Sequence, residues 1–324
     1  MEERISTSLL DDQYIYRFMS FYELYQLYKN NILRLSLLSA QEDKNEGIGT
    51  IFQFASPVMA TLHLTPDKVF QRHTDIIHNT YITCWSAEPE SVAMWALYSS
   101  NKDGVRVRTT VGRLKSTLNA YENTVSWTKH CHHTGGDELL TWGWRVAPVE
   151  YTNIETLIIK MNAAYMDFEK SCRDLKGDNP DWWTSKDGFH KEFQIFEESF
   201  RKKFKTDSFL KDSTFSHEKE LRGVVHAGVR NELSHEEWKK PENILRSLFR
   251  PAGPGVLPTF IYASVSNDFI DEICFDPRMP TYKKQVMLDA LAPLAIPQVI
   301  SRCFGQLLDN KFSFDPIKGI KRNL

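Results

Sequence analysis

Glu218 and Glu220 open the segment Glu218-Lys-Glu-Leu-Arg-Gly-Val-Val225, whose alternation is that of a strand. Residues two apart on a pleated strand share a side, so the spacing predicts both carboxylates on one face, roughly 6 to 7 Å apart. Arg17 falls mid-strand between Tyr16 and Phe18, where Tyr14, Tyr16 and Phe18 alternate with Ile15, Arg17 and Met19. A guanidinium in that setting is costly unless it meets an anion, either a ligand or an acidic side chain in a buried salt bridge. Ser86 closes a third apolar run, Tyr81-Ile-Thr-Cys-Trp-Ser86, just before a turn.

An arginine, a serine and a Glu-x-Glu pair on separate strands suit cleavage of an N-glycosidic bond such as the nicotinamide–ribose bond of NAD. That cleavage builds positive charge on the ribose, which a carboxylate beside the sugar stabilises. Glu220 and Glu218 are the expected catalytic pair, one holding a ribose hydroxyl and the other orienting or deprotonating the acceptor. Arg17 offers a fork for phosphate or ribose, Ser86 a hydroxyl to fix the arginine or the glutamate, and Tyr98 or Trp95 a ring to stack on nicotinamide. The same residues admit two other readings. One is a non-catalytic binding or sensor module, with Arg17 and the glutamates in structural ion pairs; the other is a metal-dependent nuclease using the acidic residues.

Other candidate groups read more plainly. His130-Cys-His-His133 is the one metal-like cluster, but adjacent residues rarely ligate one ion together and no second ligand pair at zinc spacing follows, so no metal is expected. Glu42, Asp43 and Glu46 read as a solvated acidic loop, and Arg201-Lys-Lys-Phe-Lys205 as the wet face of a helix. The phosphate-loop, dinucleotide-binding, zincin and nucleophile-elbow motifs are all missing.

The elements that must position these residues follow from period and punctuation. Ser20 and Glu23 read as a capping box before the short stripe Leu24, Leu27, Tyr28, which ends at Asn30-Asn31, and a strand follows through Leu33, Leu35 and Leu37. A second strand, helix, strand unit runs from Tyr81 to Thr110, with Ser91 as helix cap and Arg106 and Arg108 on one face of the last strand. Helical stripes then predominate, one from Ile154 to Cys172 and one through Phe189, Phe193, Phe196, Phe200 and Phe204. Strands are expected at 260–265, 270–275 and 298–304, with a helix near 283–291. The pattern predicts an α+β fold with a mostly antiparallel sheet, a single domain over 1–324 interrupted by a helical insertion at 111–210.

At 324 residues the chain can bury a sizeable core, and 25% charged with 41% hydrophobic residues is the composition of a folded globular protein. A net charge of −2 supplies no global pull toward nucleic acid or an anionic membrane. Five scattered cysteines without a Cys-x-x-Cys argue for a reducing compartment, so a cytoplasmic location without a membrane partner is expected.

Several stretches resemble a bacterial family known only as domain of unknown function twenty-nine seventy-one. They are Ile15-Tyr-Arg-Phe18, Leu33-Arg-Leu-Ser36 leading to Asp43-Lys-Asn-Glu46, Thr83-Cys-Trp-Ser86, Met94-Trp-Ala-Leu-Tyr98, Gly104-Val-Arg-Val107, His217-Glu-Lys-Glu-Leu-Arg222 and Ile270-Asp-Glu-Ile273. The likeness covers about 14–110 and 210–305 and leaves the middle helices outside. The chain departs from the family pattern at Leu97-Tyr98, where a His-Tyr pair is usual, and at Asp43-Lys-Asn45, where Asn-Asp-Pro is usual.

Family members resemble parts of bacterial phage-defence or toxin–antitoxin loci. The motif order is also similar to ADP-ribosyltransferases, in which an aromatic-Arg strand, a Ser strand and a Glu-x-Glu turn converge on NAD across a split sheet. The resemblance implies Arg17, Ser86, Glu218 and Glu220 as the NAD site with Tyr98 stacking, and NAD as a substrate without a metal. It implies an antiviral toxin with an antitoxin or chaperone as a partner and RNA, DNA or protein as acceptor; the cationic Arg201–Lys205 run and the Trp and His residues between 126 and 145 tilt the acceptor slightly to nucleic acid, RNA being slightly favoured.

Overall fold

A computed structural model of the chain describes residues 9–43, 45–50, 66–125, 139–176, 208–229, 255–292 and 296–304. The Phe189–Phe204 stripe, His130–His133 and Arg201–Lys205 lie outside the described residues. In chain order the elements are β1 (Tyr14–Ser20), α1 (Phe21–Asn30), β2 (Ile32–Leu37), α2 (Pro66–Ile77), β3 (Thr80–Ser86), α3 (Val92–Tyr98), β4 (Gly104–Thr110), α4 (Val111–Val125), β5 (Leu139–Pro148), β6 (Glu150–Thr152), α5 (Ile154–Lys176), β7 (Leu210–Asp212), β8 (Glu220–Val229), β9 (Phe260–Ser264), β10 (Glu272–Phe275), α6 (Thr281–Leu291) and β11 (Gln298–Val299).

Local chemistry sets the boundaries much as the sequence predicts. Ser20 Oγ accepts from Glu23 N to start α1, and Asn31 ends it in the left-handed region at φ 51°. The other half of the expected capping box is missing, because the Glu23 carboxylate is drawn instead to Arg17 and Arg34. Ser91 Oγ accepts from Met94 N at the start of α3.

The fold is α+β with a mostly antiparallel sheet. Among the described residues, nine strands join one sheet in the order β11-β10-β4-β1-β3-β2-β9, with β8 paired to β3 and β5 paired to β8. β10 and β11 run parallel and the other pairs of this sheet antiparallel. The edge of β3 opposite β8 is divided. β1 pairs with it at Ser86 and β2 at Tyr81 and Ile82, so the sheet forks there and α1 bridges the two branches.

One face of the sheet carries the main core, in which Ile15, Met19, Tyr81, Trp85, Val105, Val107, Leu221 and Val225 pack against Leu114 and Leu118 of α4 and Leu24 and Leu27 of α1. The opposite face is covered more sparsely. There Phe18 meets Met94 and Trp95 of α3, and Ile82 and Val224 meet Leu38 and Phe209. Arg106 and Arg108, expected on one face of β4, do share one face, and both pair with Glu272 of the neighbouring β10.

The expectation of a helical insertion over 111–210 needs correction. α4 and α5 are helices, but residues 139–148 form β5, which pairs with β8 from Leu139↔Val229 to Pro148↔Leu221. The physical reason is visible in the burial alternation: Trp144 and Val146 pack against the core while Arg145 between them is exposed. β6 and β7 form a small parallel pair beside it.

Because Leu114 is fully buried between α4 and the sheet, Leu114→Ala is expected to cost about 2–5 kcal/mol, read as a lowered midpoint in urea unfolding.

Candidate functional site

At the fork lies a cleft of about 650 Å³, a size typical of small-molecule and cofactor sites. Arg17, Ser86, Tyr98, Glu218 and Glu220 all line it, together with Arg34, Ser36, Glu46, Cys84, Lys211 and Phe260. Trp95 does not. It is 0% exposed and packs edge-on to Phe18 with ring centroids 4.9 Å apart, so its expected role as a stacking ring in the cleft is corrected to that of a core residue. Its position on the buried side of a short helix, one turn from Tyr98, is what separates the two rings.

Glu218 and Glu220 reach one place by a route other than a shared strand face. Glu218 ends a 3-10 turn over Ser213–Glu218, Lys219 adopts the left-handed region at φ 45°, and only Glu220 belongs to β8. Both carboxylates meet Lys211 Nζ, at 2.8 Å for Glu218 and 3.4 Å for Glu220. Lys211 comes from β7 and also lies 3.5 Å from Glu46. Arg222, 0% exposed, holds Glu220 at 2.8 Å and Glu46 at 2.9 Å and donates to the Ser208 carbonyl. Three carboxylates and two cations thus form one buried cluster.

Glu46 was expected in a solvated acidic loop. It is 6% exposed and part of this cluster, because its carboxylate meets charges contributed by β7 and β8. Lys211, Arg222 and Tyr151 also belong to the site and were missed. Tyr151 accepts a 2.7 Å bond from Glu220 N, and burial raises its phenol to about 12. The Glu-x-Glu-x-Arg spacing was the available signal for Arg222, since on a strand it shares a face with Glu220.

The two glutamates are driven apart electrostatically. Burial works to raise Glu220, but Arg222 and then Lys211 outweigh it and bring the carboxyl down to about 2. Glu218 goes the other way: burial raises it, with Lys211 opposing only in part. Carboxylates with divergent protonation are the arrangement from which acid–base assignments are made. Glu220 is thus held toward its ionised form and Glu218 toward its protonated form. Burial and then Glu218 raise the Tyr98 phenol.

Ser86 Oγ donates to the Glu218 carbonyl at 2.8 Å and accepts from Glu88 N at 3.1 Å, so it fixes the turn that carries Glu218. Arg17 has the acidic side-chain partner allowed by the sequence. It pairs with Glu23 at 2.5 Å, donates to Thr83 Oγ1 at 2.6 Å and lies over Trp85 at 5.9 Å. By strand alternation Arg17 and Thr83 share the sheet face of the main core, whereas Ser86, Cys84 and Glu220 point to the other face. The fork is what lets both sets border one cleft. Among the described residues, no group of three or more His, Cys, Asp or Glu side chains is placed to hold a metal ion, and no helix is long and apolar enough to cross a membrane.

Residues 94–223 match the family model described as Protein of unknown function (DUF2971). The matched stretch is under half of the chain and includes Tyr98, Lys211, Glu218, Glu220 and Arg222. It takes in the middle segment that the sequence resemblance had left outside, in keeping with the contribution of β5, β6 and β7 to the site. No curated protein and no solved structure matches the chain.

Glu218→Gln and Glu220→Gln are expected to separate. Glu220→Gln leaves fully buried Arg222 short of an anion and costs about 3–5 kcal/mol, read by denaturant unfolding, whereas Glu218→Gln is milder because its carboxylate meets only the lysine. The pH dependence of stability follows the same division. Glu220 is depressed in the folded state, so its stabilisation is present above about pH 4.5 and is lost as the pH falls toward about 2. Glu218 is elevated, so its contribution is present below 4.5 and is lost as the pH rises through its folded value. Thermal melts across the acid range should therefore show a fall below about pH 4.5 that persists in Glu218→Gln.

Proposed function

We propose that the cleft binds NAD and that the protein is an NAD-consuming ADP-ribosyltransferase acting on a macromolecular acceptor. The observation that carries this reading is the pair of oppositely shifted glutamates at the cleft floor, facing the same cavity as Arg17, Ser86 and Tyr98. When the bond between ribose C1′ and nicotinamide breaks, its electron pair leaves with nicotinamide and positive charge builds on the sugar. Glu220, ionised at any physiological pH, stabilises that charge. Glu218, elevated and able to exchange a proton, takes the proton of the attacking acceptor group. Tyr98 borders the leaving-group end, and Arg17 presents its guanidinium to the dinucleotide from across the fork. The forked antiparallel sheet supports the likeness to ADP-ribosyltransferases drawn from motif order. A toxin or phage-defence role, with an antitoxin partner, rests on the family resemblance.

A second reading is favoured by one observation. Arg17 and Glu220 already have protein partners, as they would in a non-catalytic module whose ions only hold the fold.

Incubation with adenylate-labelled NAD and separated RNA, DNA and protein fractions tests the two. Transfer of label by the unmutated protein, reduced by at least about a hundredfold in Glu218→Gln with its melting temperature retained, is the expected result, a general base being worth that much or more. Intact NAD with every fraction, together with no rise in melting temperature on adding NAD, would leave the binding-module reading.

A further inference from the structure

Arg17 and Arg34 stand on the two branches of the fork, on β1 and β2, and one carboxylate joins them. Glu23 Oε1 meets Arg17 at 2.5 Å and Glu23 Oε2 meets Arg34 at 3.1 Å, so each oxygen serves one guanidinium. All three side chains line the cleft. This is the geometry of an oxyanion held between two arginine forks, with the protein itself supplying the oxyanion. The pair is not saturated: Arg17 also donates to Thr83 Oγ1, whereas Arg34 Nε, closed off from solvent, meets no hydrogen-bond acceptor among the described residues. Glu23 in turn has a second seat. It is the third residue of α1, and its amide donates to Ser20 Oγ at 3.2 Å, which is one half of a capping box. The other half would return its carboxylate to the Ser20 amide, and Ser20 lines the same cleft. Because the helix start is already in place, the two seats differ by a rotation of the Glu23 side chain.

We propose that Glu23 is a built-in competitor at an oxyanion subsite formed by Arg17 and Arg34, and that a diphosphate-bearing ligand enters by displacing it to the Ser20 amide. Charge explains why a competitor matters. Carboxylates outnumber cations six to three along the cleft lining, so the cavity as a whole does not attract an anion. Among the described residues, only Glu23 pairs with Arg17 or Arg34, while Glu46, Glu218 and Glu220 are held by Lys211 and Arg222. Anion entry is therefore an exchange of one oxyanion for another at a fixed pair of guanidiniums, not adsorption to a basic surface. A diphosphate offers oxygens to both forks at once, and the displaced carboxylate is met by an amide at the positive end of α1. The inference rests on the NAD reading only for which diphosphate arrives, since the subsite uses neither Glu218 nor Glu220.

Thermal melts of the full chain against inorganic pyrophosphate, and separately against ADP-ribose and NAD, test the exchange, with ionic strength held constant by potassium chloride. The proteins compared are the unmutated chain, Glu23→Gln, Arg34→Gln and the double variant. Glutamine keeps the length and the capping-box hydrogen bond of Glu23 while removing its charge. Without ligand, Glu23→Gln is expected to melt lower, because two partly buried guanidiniums lose their counter-ion. Pyrophosphate should nevertheless raise its melting temperature at a concentration about tenfold or more below that needed by the unmutated chain, a gain the double variant loses. An equal or higher concentration in Glu23→Gln, a gain that survives in the double variant, or no response of Glu23→Gln to pyrophosphate would each overturn the proposal. Arg34→Gln alone keeps the test decisive should Glu23→Gln not fold: the response of the unmutated chain to ADP-ribose should weaken about tenfold, and an unchanged response overturns the subsite. The two readings fail separately. Pyrophosphate acting on Glu23→Gln with NAD neither bound nor cleaved keeps the subsite and discards the NAD reading, whereas NAD cleavage with affinity unaltered by Glu23→Gln discards the competitor alone.

Discussion

Arg222 has no exposed surface, and that one burial constrains the rest of the site. A guanidinium taken out of water is tolerable only when carboxylates and carbonyls surround it. Its two carboxylates come from different parts of the chain: Glu220 from its own strand and Glu46 from the loop after β2. Lys211, also buried, binds the same two and Glu218 besides. Among the described residues, three carboxylates meet two cations in this cluster. Glu218 is the member whose carboxyl burial raises, with Lys211 opposing.

The same cluster ties together elements that sheet pairing alone would leave apart. β7 pairs with β6 and not with the large sheet, so Lys211 is joined to β8 through side chains and through the Val149 and Tyr151 bonds to the Glu220 backbone. Glu46, from the loop after β2, reaches β8 through its ion pair with Arg222 and β7 through Lys211. Ser86 secures the turn before Glu220 from the other side, by bonding to the Glu218 carbonyl. Each fastening converges on residues 218–222.

Much of this was legible in the sequence, and the reasons for the misses are physical. β2 and β9 alternate cleanly because each has one face on the core, and a period of two records that directly, whereas β3 and β4 are buried on both faces and β3 shows instead as a short apolar run. β5 alternates as well, at Trp144, Arg145 and Val146, but it stands between long helical stripes, and its strand character is confirmed only by its partner some eighty residues later. Glu46 could not be read at all. Its neighbours Glu42 and Asp43 make the segment look solvated, and the charges that bury it are far away in the chain. A local pattern reports the side of an element that meets the core, but not which distant ion a loop carboxylate meets. Arg17 shows the converse: its apolar setting announced the need for an anion, and Glu23, six residues on, meets it.

The division of the β3 edge explains why residues from opposite faces of a sheet can serve one cavity. In an unbroken sheet, Arg17 and Glu220 would be separated by a layer of backbone, since alternation sends them to opposite sides. Because β1 and β2 each pair with only part of β3, the layer opens between them, and both faces border the gap. The two sides of the cleft therefore carry different ion pairs. One wall carries Arg17 and Arg34 paired with Glu23, and the other carries Glu218 and Glu220 with Lys211 and Arg222. An extended ligand lying through the fork with an anionic group at the arginine wall and developing positive charge at the glutamate wall would be aligned by both ends. On the proposed reading, a neutral ligand of equal size would gain from neither.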